Sequence, residues 1–132
     1  MTREGREIVT GGGPWSSRYT YAPALRVSDT VFLSGTTGTD DEGRITAPGD
    51  IVEQTRQIFR KFERLLEAAG GSCADIVQTI DYITTTDNYR GTAGVRREFL
   101  KEARPASTGV IVAGLLREGA LIEISAVAVL KG

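Results

Sequence analysis

Runs of apolar and β-branched residues along the chain predict a set of strands. They are residues 19–27, 30–38, 76–85, 105–112 and 121–130. Pro23 indicates that the first run is an edge strand, because proline removes a hydrogen bond from a central ladder. Residues 116–120 separate the last two runs and predict a loop between paired strands.

The clearest helix is predicted to begin after Asp50, which can cap it, with Glu53 three residues on as in a capping box. Gly70 and Gly71 are predicted to end it. Its apolar stripe contains Ile51, Thr55, Ile58, Phe59, Phe62, Leu65 and Leu66. The charged residues between them, Lys61 included, predict a solvated face. A second helix is predicted from Asp87 as its cap to about Ala103.

The order of these elements predicts an α+β fold in one domain, residues 1–132, with residues 1–17 as a flexible lead-in. Three glycines in this lead-in lack the lysine of a phosphate loop and indicate a mobile loop. A strand–helix–strand unit predicts one parallel pair, whereas the terminal hairpins are antiparallel, so the sheet is mixed with both helices on one face. The other face then needs a partner, and self-association is the expected solution.

Glu123 interrupts the last and most apolar strand. Successive side chains of a strand point to opposite faces, so Glu123 shares one face with Ser125 and Val127. The other face is predicted to pack against the helices and carries Ile122, Ile124, Ala126, Ala128 and Leu130. A buried carboxylate costs several kcal/mol unless it is paired, hydrogen-bonded or protonated. Two interpretations stay open: a structural ion pair, with Arg26 or Arg117 as partner, or a catalytic role in a cleft.

The composition excludes several kinds of chemistry. The chain has no histidine, one cysteine and a net charge of −1. Histidine-dependent catalytic triads are therefore excluded, and we expect no metal site and no nucleic-acid partner. Cys73 is interpreted as a packing residue rather than a nucleophile. A single cysteine, a charged N-terminus and no apolar run of about 20 residues predict a cytoplasmic protein with no membrane partner.

With these residues in view, the chain resembles the Rid family (reactive intermediate deaminases, also called the YjgF family) from about Tyr19 to Leu130. The matching features are Tyr21, Val31-Phe32-Leu33-Ser34-Gly35, Gln54-Thr55-Arg56, Leu66-Glu67-Ala68-Ala69-Gly70, Asp75-Ile76-Val77, Arg104-Pro105-Ala106 and Leu121 to Ala128. The resemblance implies a chorismate-mutase-like fold and a homotrimer that forms a central β-barrel with three intersubunit clefts. It also implies cofactor-independent hydrolysis of enamines or imines, such as 2-aminoacrylate, to a keto acid and ammonia.

The family resemblance also implies site residues. It places the glutamate that positions water at Glu123, and substrate-binding residues at Tyr21, Ser34, Gly35, Thr36, Ser107, Thr108 and Gly109. Ser107 stands where the family has the arginine that holds the substrate carboxylate, Gly109 where a cysteine is frequent, and Ala93 where an asparagine is frequent.

A serine hydroxyl cannot replace a bidentate guanidinium, so we expect a substrate other than 2-aminoacrylate. It would lack a carboxylate, be larger and more apolar, or be held by another arginine, with Arg18, Arg26, Arg96 and Arg117 as candidates.

The sequence leaves three functions open. The first is a hydrolase or deaminase that acts on a C=N or enamine substrate, with Glu123 at its centre. The second is a small-ligand-binding or regulatory trimer that has lost the chemistry. The third, a ribonuclease or translation inhibitor, is a label sometimes given to the family. The missing histidine and the absence of a basic cluster with aromatic residues argue against it.

Overall fold

A computed structural model describes residues 4–13 and 15–131 and contains a six-stranded sheet with two α-helices. The elements are β1 (Glu7–Val9), β2 (Ala24–Val27), β3 (Thr30–Thr37), α1 (Ile51–Ala68), β4 (Ile76–Ile83), α2 (Thr92–Leu100), β5 (Ala106–Ile111) and β6 (Ile122–Val129). The strand order is β1-β2-β3-β6-β4-β5, and only β4 and β5 run parallel. The predicted α+β class, mixed sheet and parallel pair across the second helix are confirmed.

The prediction that the last two strands pair with each other is wrong. β6 lies between β3 and β4 and is antiparallel to both, whereas β5 pairs only with β4 and forms an edge of the sheet. The physical reason lies in their side chains. A central strand has neighbours on both sides, which suits the apolar β6, while every residue of the shorter β5 is exposed.

The N-terminal side of the sheet also differs from the prediction. β2 begins only at Ala24, so Tyr19 and Tyr21 lie in the segment before it, and β1 covers its other side. β2 is therefore not an edge strand. Pro23 precedes the strand, where it costs no ladder bond, and its carbonyl accepts from the N–H of Ser34 at 3.0 Å. A three-residue strand such as β1 is too short to show a periodic pattern.

α1 has the predicted cap, stripe and end. The Asp50 carboxylate accepts from the N–H groups of Val52 and Glu53, each at 3.1 Å. The reciprocal half of the predicted capping box is absent, because the Asp50 N–H donates to Ala47 O at 3.1 Å and Glu53 pairs with Arg56. All seven residues of the predicted stripe are buried, and so is Gln54.

Four residues of the predicted solvated face of α1 are in fact half-buried, namely Glu53, Arg56, Lys61 and Glu63. Lys61 reaches back over β3, where its ammonium donates to Thr37 O at 2.7 Å and to Thr39 Oγ1 at 2.8 Å. Burial lowers the Lys61 pKa to about 8, and Arg117 and Arg64 contribute in the same direction.

α2 is shorter than predicted at both ends. Asp87 does not cap it; a 3-10 turn at Tyr89–Gly91 comes first, and the cap position is Gly91, without a side-chain hydrogen bond. At the other end Lys101 has a positive φ of 53°, which stops the helix before Ala103.

The core lies between the sheet and the two helices, which pack on the same face. The predicted helix-facing residues of β6 are buried, with Ile122, Ile124 and Ala128 at 0% exposure. Cys73 is also fully buried, consistent with a packing residue, and burial raises the pKa of its thiol. Neither helix in the described ranges is long and apolar enough to cross a bilayer.

Candidate functional site

Glu123 lies on the sheet face that the helices leave open. It is half-buried, and its register partner on β4 is Tyr82. Within residues 4–13 and 15–131 its carboxylate has no salt bridge and no hydrogen bond. Neither proposed ion pair forms: Arg26 donates to Ser28 O at 3.0 Å and Ala69 O at 2.8 Å, and Arg117 lies beside Gly43. A carboxylate in this state can accept a proton or hold a water molecule.

A bulge in β3 lets the chain pass close to this carboxylate. Leu33 pairs with Ala126 and Thr36 with Ile124, so Ser34 and Gly35 both lie opposite Ser125. A Cβ atom at Gly35 would lie 2.6 Å from Glu123 Oε2, so a larger residue here would displace the carboxylate from its present position. The bulge thus brings together two predicted site residues, Gly35 and Glu123.

A cleft of about 350 Å³ opens in front of Glu123. Its strand residues are Gly35, Tyr82, Glu123 and Ser125, and its loop residues are Val112, Gly114, Leu115 and Leu116. Carboxylate and hydroxyl groups therefore face an apolar wall. Tyr82 and the loop carry no signal of a site in the sequence, because both reach the cleft only through the pairing of β4 with β6.

Buried Gln54 of α1 anchors the far end of this cleft loop. Its Oε1 accepts from the N–H of Leu121 at 2.8 Å, and its Nε2 donates to Ala47 O at 3.0 Å and Gly119 O at 3.4 Å. The side chain is 0% exposed. The first helix thus fixes the end of the loop that forms the apolar wall.

Ser34 and Tyr21 are behind or beside the cleft rather than in its wall. Ser34 Oγ donates to Ala22 O at 2.6 Å, which ties the segment before β2 to the bulge. Tyr21 belongs to an exposed aromatic cluster with Trp15 and Tyr19, whose ring centroids lie 4.6 to 5.4 Å apart. Thr36, also predicted to bind substrate, is half-buried opposite Ile124 and does not line the cleft.

Ser107, Thr108 and Gly109 lie on the edge strand β5, and the structure does not bring them to Glu123. Ser107 pairs with Thr79 and Gly109 with Asp81, both of which are buried on the helix side. The hydroxyl of Thr79 donates to Ser107 Oγ at 3.2 Å. Ser107 and Gly109 therefore belong to the opposite face of the sheet from Glu123. The prediction of one site from all these residues is not met within a single chain.

Asp81 forms a buried polar cluster beneath β5 that the sequence analysis missed. It is 0% exposed and pairs with Arg96 Nη2 at 2.7 Å, while the Tyr89 hydroxyl donates to the same carboxylate oxygen. The Arg96 guanidinium also lies over the rings of Phe59 and Tyr89, at 5.9 and 5.6 Å. Burial, and then the bond to Asp81, raises the Tyr89 pKa to about 12. Arg96 is thus engaged inside the fold rather than directed at the cleft.

Comparison with known proteins gives consistent matches over nearly the whole chain. The family model described as Endoribonuclease L-PSP matches residues 15–130. The 3-aminoacrylate deaminase RutC of Acinetobacter baylyi is 32% identical over 123 residues, which cover 93% of this chain and 97% of that protein.

Solved structures agree with this match. A YjgF-family member from Mycobacterium tuberculosis is 34% identical, with a TM-score of 0.78 and coverage of 95% of this chain and 99% of that one. RidA from an Antarctic Psychrobacter is 31% identical, with a TM-score of 0.79 and coverage of 93% and 98%.

Proposed function

Because the chain belongs to the Endoribonuclease L-PSP family, which is the Rid or YjgF family, we propose that it hydrolyses an enamine or imine of a small molecule to a carbonyl compound and ammonia. The observation that carries this proposal is the half-buried Glu123 carboxylate, which has no described partner and faces a partly apolar cleft. A relative of similar length is named a deaminase, which supports the same reaction class.

The chemistry needs one carboxylate and one water molecule. An enamine first takes a proton from solvent on carbon, or an imine takes one on nitrogen, and either becomes an iminium ion. Glu123 accepts a proton from water as the oxygen attacks the C=N carbon of this ion, which gives a neutral carbinolamine. The carboxylic acid then returns the proton to nitrogen; the C–N bond breaks, ammonia leaves, the hydroxyl proton is released to solvent and the carbonyl forms. The reaction consumes one water and requires no oxidant.

We propose that the active form is a homotrimer with its clefts between subunits. Ser107 and Gly109 lie on the opposite sheet face from Glu123, so a second copy would have to supply them to the same cleft. β5 is exposed along its whole length, and apolar side chains such as Phe32, Ile111 and Val129 are exposed on the sheet. Such a surface is typical of an interface between subunits. Sedimentation at low micromolar concentration tests this, and a stable monomer would contradict it.

Activity is tested by measuring ammonia release from a panel of imines generated in the assay, with and without carboxylates. We expect turnover by the wild type and a loss of roughly 10²- to 10⁴-fold in Glu123→Gln, the usual contribution of an acid–base group. Glu118→Gln, which makes the same change at an exposed loop position, is the matched control and should keep wild-type rates.

Two outcomes would favour other functions. If no imine is turned over and Glu123→Gln binds ligand as the wild type does, the protein is a small-ligand-binding or regulatory trimer. The serine at position 107 is the observation that favours this second candidate, because the family arginine is missing. Salt-sensitive RNA binding with cleavage would instead support a nuclease, against which the net charge of −1 argues.

A further inference from the structure

The cleft in front of Glu123 is lined by one negative charge and by uncharged groups. Glu123 is the one charged side chain among the described residues that line it. Tyr82 and Ser125 contribute hydroxyl groups, and the cleft loop contributes aliphatic side chains such as that of Leu116. A molecule that enters the cleft therefore meets a carboxylate and no compensating cation.

The four arginines that were candidates for holding a substrate carboxylate do not line the cleft. Arg96 pairs with a buried carboxylate beneath β5 at 2.7 Å, and Arg26 donates to two backbone carbonyls. The guanidinium of Arg117 lies beside Gly43, and Arg18 is not among the cleft residues. Two like charges a few ångströms apart repel strongly where water is partly excluded. A substrate carboxylate is therefore disfavoured beside the carboxylate of the cleft.

Tyr82 and Glu123 lie side by side on the open face of the sheet. They are register partners on the antiparallel strands β4 and β6, so their Cβ atoms are about 4.5–5.5 Å apart. Tyr82 is half-buried and lines the cleft, so part of its side chain is open to an incoming group. The face of an aromatic ring attracts a cation, and a carboxylate attracts the same cation through its charge. The pair is suited to a small organic cation.

We propose that the cleft binds the protonated C=N group of a substrate without a carboxylate. Glu123 and the ring of Tyr82 hold the iminium cation, and the cleft loop contacts the apolar part of the substrate. The substrates are then imines of simple amines, and the reaction that supplies them is the two-electron oxidation of a primary amine by an oxidase or a dehydrogenase. This inference rests on the proposed function, and every group in it belongs to one chain. Tyr82 is its specificity-determining residue.

The test compares two imines that differ only in the carboxylate. One is generated in the assay from isobutylamine by an amine oxidase, and the other from D-valine by D-amino-acid oxidase, with catalase present in both. The quantity compared is kcat/KM divided by the uncatalysed rate of hydrolysis, measured by competition with semicarbazide. Because an uncompensated like charge in a cleft is costly, we expect a preference of about tenfold or more for the imine of isobutylamine.

Three variants test which groups set this preference. Tyr82→Leu removes the ring and should lower kcat/KM for the imine of isobutylamine by about threefold to thirtyfold, whereas Tyr82→Phe keeps the ring and the preference. Leu116→Arg adds a cation to the cleft wall at a fully exposed position and should shift the preference toward the imine of valine. Ala74→Arg adds the same charge at an exposed position outside the cleft and should retain the wild-type preference.

Binding of two stable probes separates recognition from chemistry. Acetamidinium carries the planar C=N cation of an iminium ion, and acetate is an anion of the same size. In NMR titrations the wild type should bind acetamidinium more tightly than acetate, and Tyr82→Leu and Glu123→Gln should each weaken the binding of acetamidinium.

The outcomes distinguish this inference from the proposed function. If both imines are hydrolysed and the one from valine is preferred or equal, the inference is wrong and the proposed function stands. A preference that is unchanged in both Tyr82→Leu and Leu116→Arg would also overturn the inference. If neither imine is hydrolysed while acetamidinium binds more tightly than acetate, the proposed function fails and the recognition of a cation stands. Equal binding of the two probes with no turnover overturns both.

Discussion

Gln54 offers the sharpest test of how α1 supports the cleft loop. The change Gln54→Leu keeps a side chain of similar size and removes its amide. The Leu121 N–H then loses its partner at 2.8 Å, whereas the Ala47 carbonyl loses the bond at 3.0 Å but keeps the one from the Asp50 N–H. An unsatisfied buried polar group costs about 1–3 kcal/mol, and a lost hydrogen bond costs about 0.5–1.5 kcal/mol. Because both partner residues are only half-buried, we expect a total loss of about 2–4 kcal/mol in the free energy of unfolding.

The matched control is Gln57→Leu on the same helix. Gln57 is half-buried and makes one bond, from Nε2 to Thr39 O at 3.0 Å. Loss of one such bond is expected to cost about 0.5–1.5 kcal/mol. Urea denaturation at one protein concentration measures both variants, since self-association would make stability depend on concentration. Amide hydrogen exchange at Leu121 should accelerate in Gln54→Leu alone. Equal losses in the two variants, with unchanged exchange at Leu121, would refute the anchoring role of Gln54.

Three further predictions concern α1 and its surroundings. The pKa of Lys61 is about 8 in the fold and 10.5 for an ordinary lysine, so the unfolded chain binds more protons between these values. The difference in unfolding free energy between the wild type and Lys61→Met should therefore rise from pH 8 to 10.5. A difference that does not change with pH would contradict the burial of the ammonium. Cys73 should resist iodoacetamide in the native protein and react in urea, as followed by mass spectrometry, because its thiol is buried and its pKa is raised. Asp50→Ala should lower the unfolding free energy by about 1 kcal/mol in denaturant titrations, whereas Asp50→Ser, which can still cap, should lose less.

The parts of the fold that the sequence predicted are those coded by local patterns. α1 has an acidic cap, an apolar stripe of period 3.6 and a glycine end, and each of these signals is contained within a few residues. The alternation in β6 likewise placed Glu123 and Ile124 on opposite faces. α2 lacks such signals, because Gly91 rather than Asp87 occupies its cap position.

The site depends on strand order, which the sequence pattern does not contain. Whether Ser107 and Glu123 share a face follows from the insertion of β6 between β3 and β4, and so does the place of Tyr82 in the cleft. The ion pair of Asp81 with Arg96 joins a strand to a helix and has no local signature. The family resemblance indicated the positions of the site residues. The fold separates them, because Gly35 and Glu123 lie on the open face of the sheet and Ser107 and Gly109 lie on the face that the helices cover.

The position of β6 has a consequence for biosynthesis. β3 and β4 never pair with each other, and the strand that joins them is translated after every other described element. At about 5–20 residues per second, the ribosome needs several seconds to pass from β3 to β6. During that interval the nascent chain exposes two unpaired strand edges, which are sites for aggregation or chaperone binding. The sheet is therefore expected to close only after Val129 has been synthesised, and a ribosome stalled before Ile122 should hold a protease-sensitive chain.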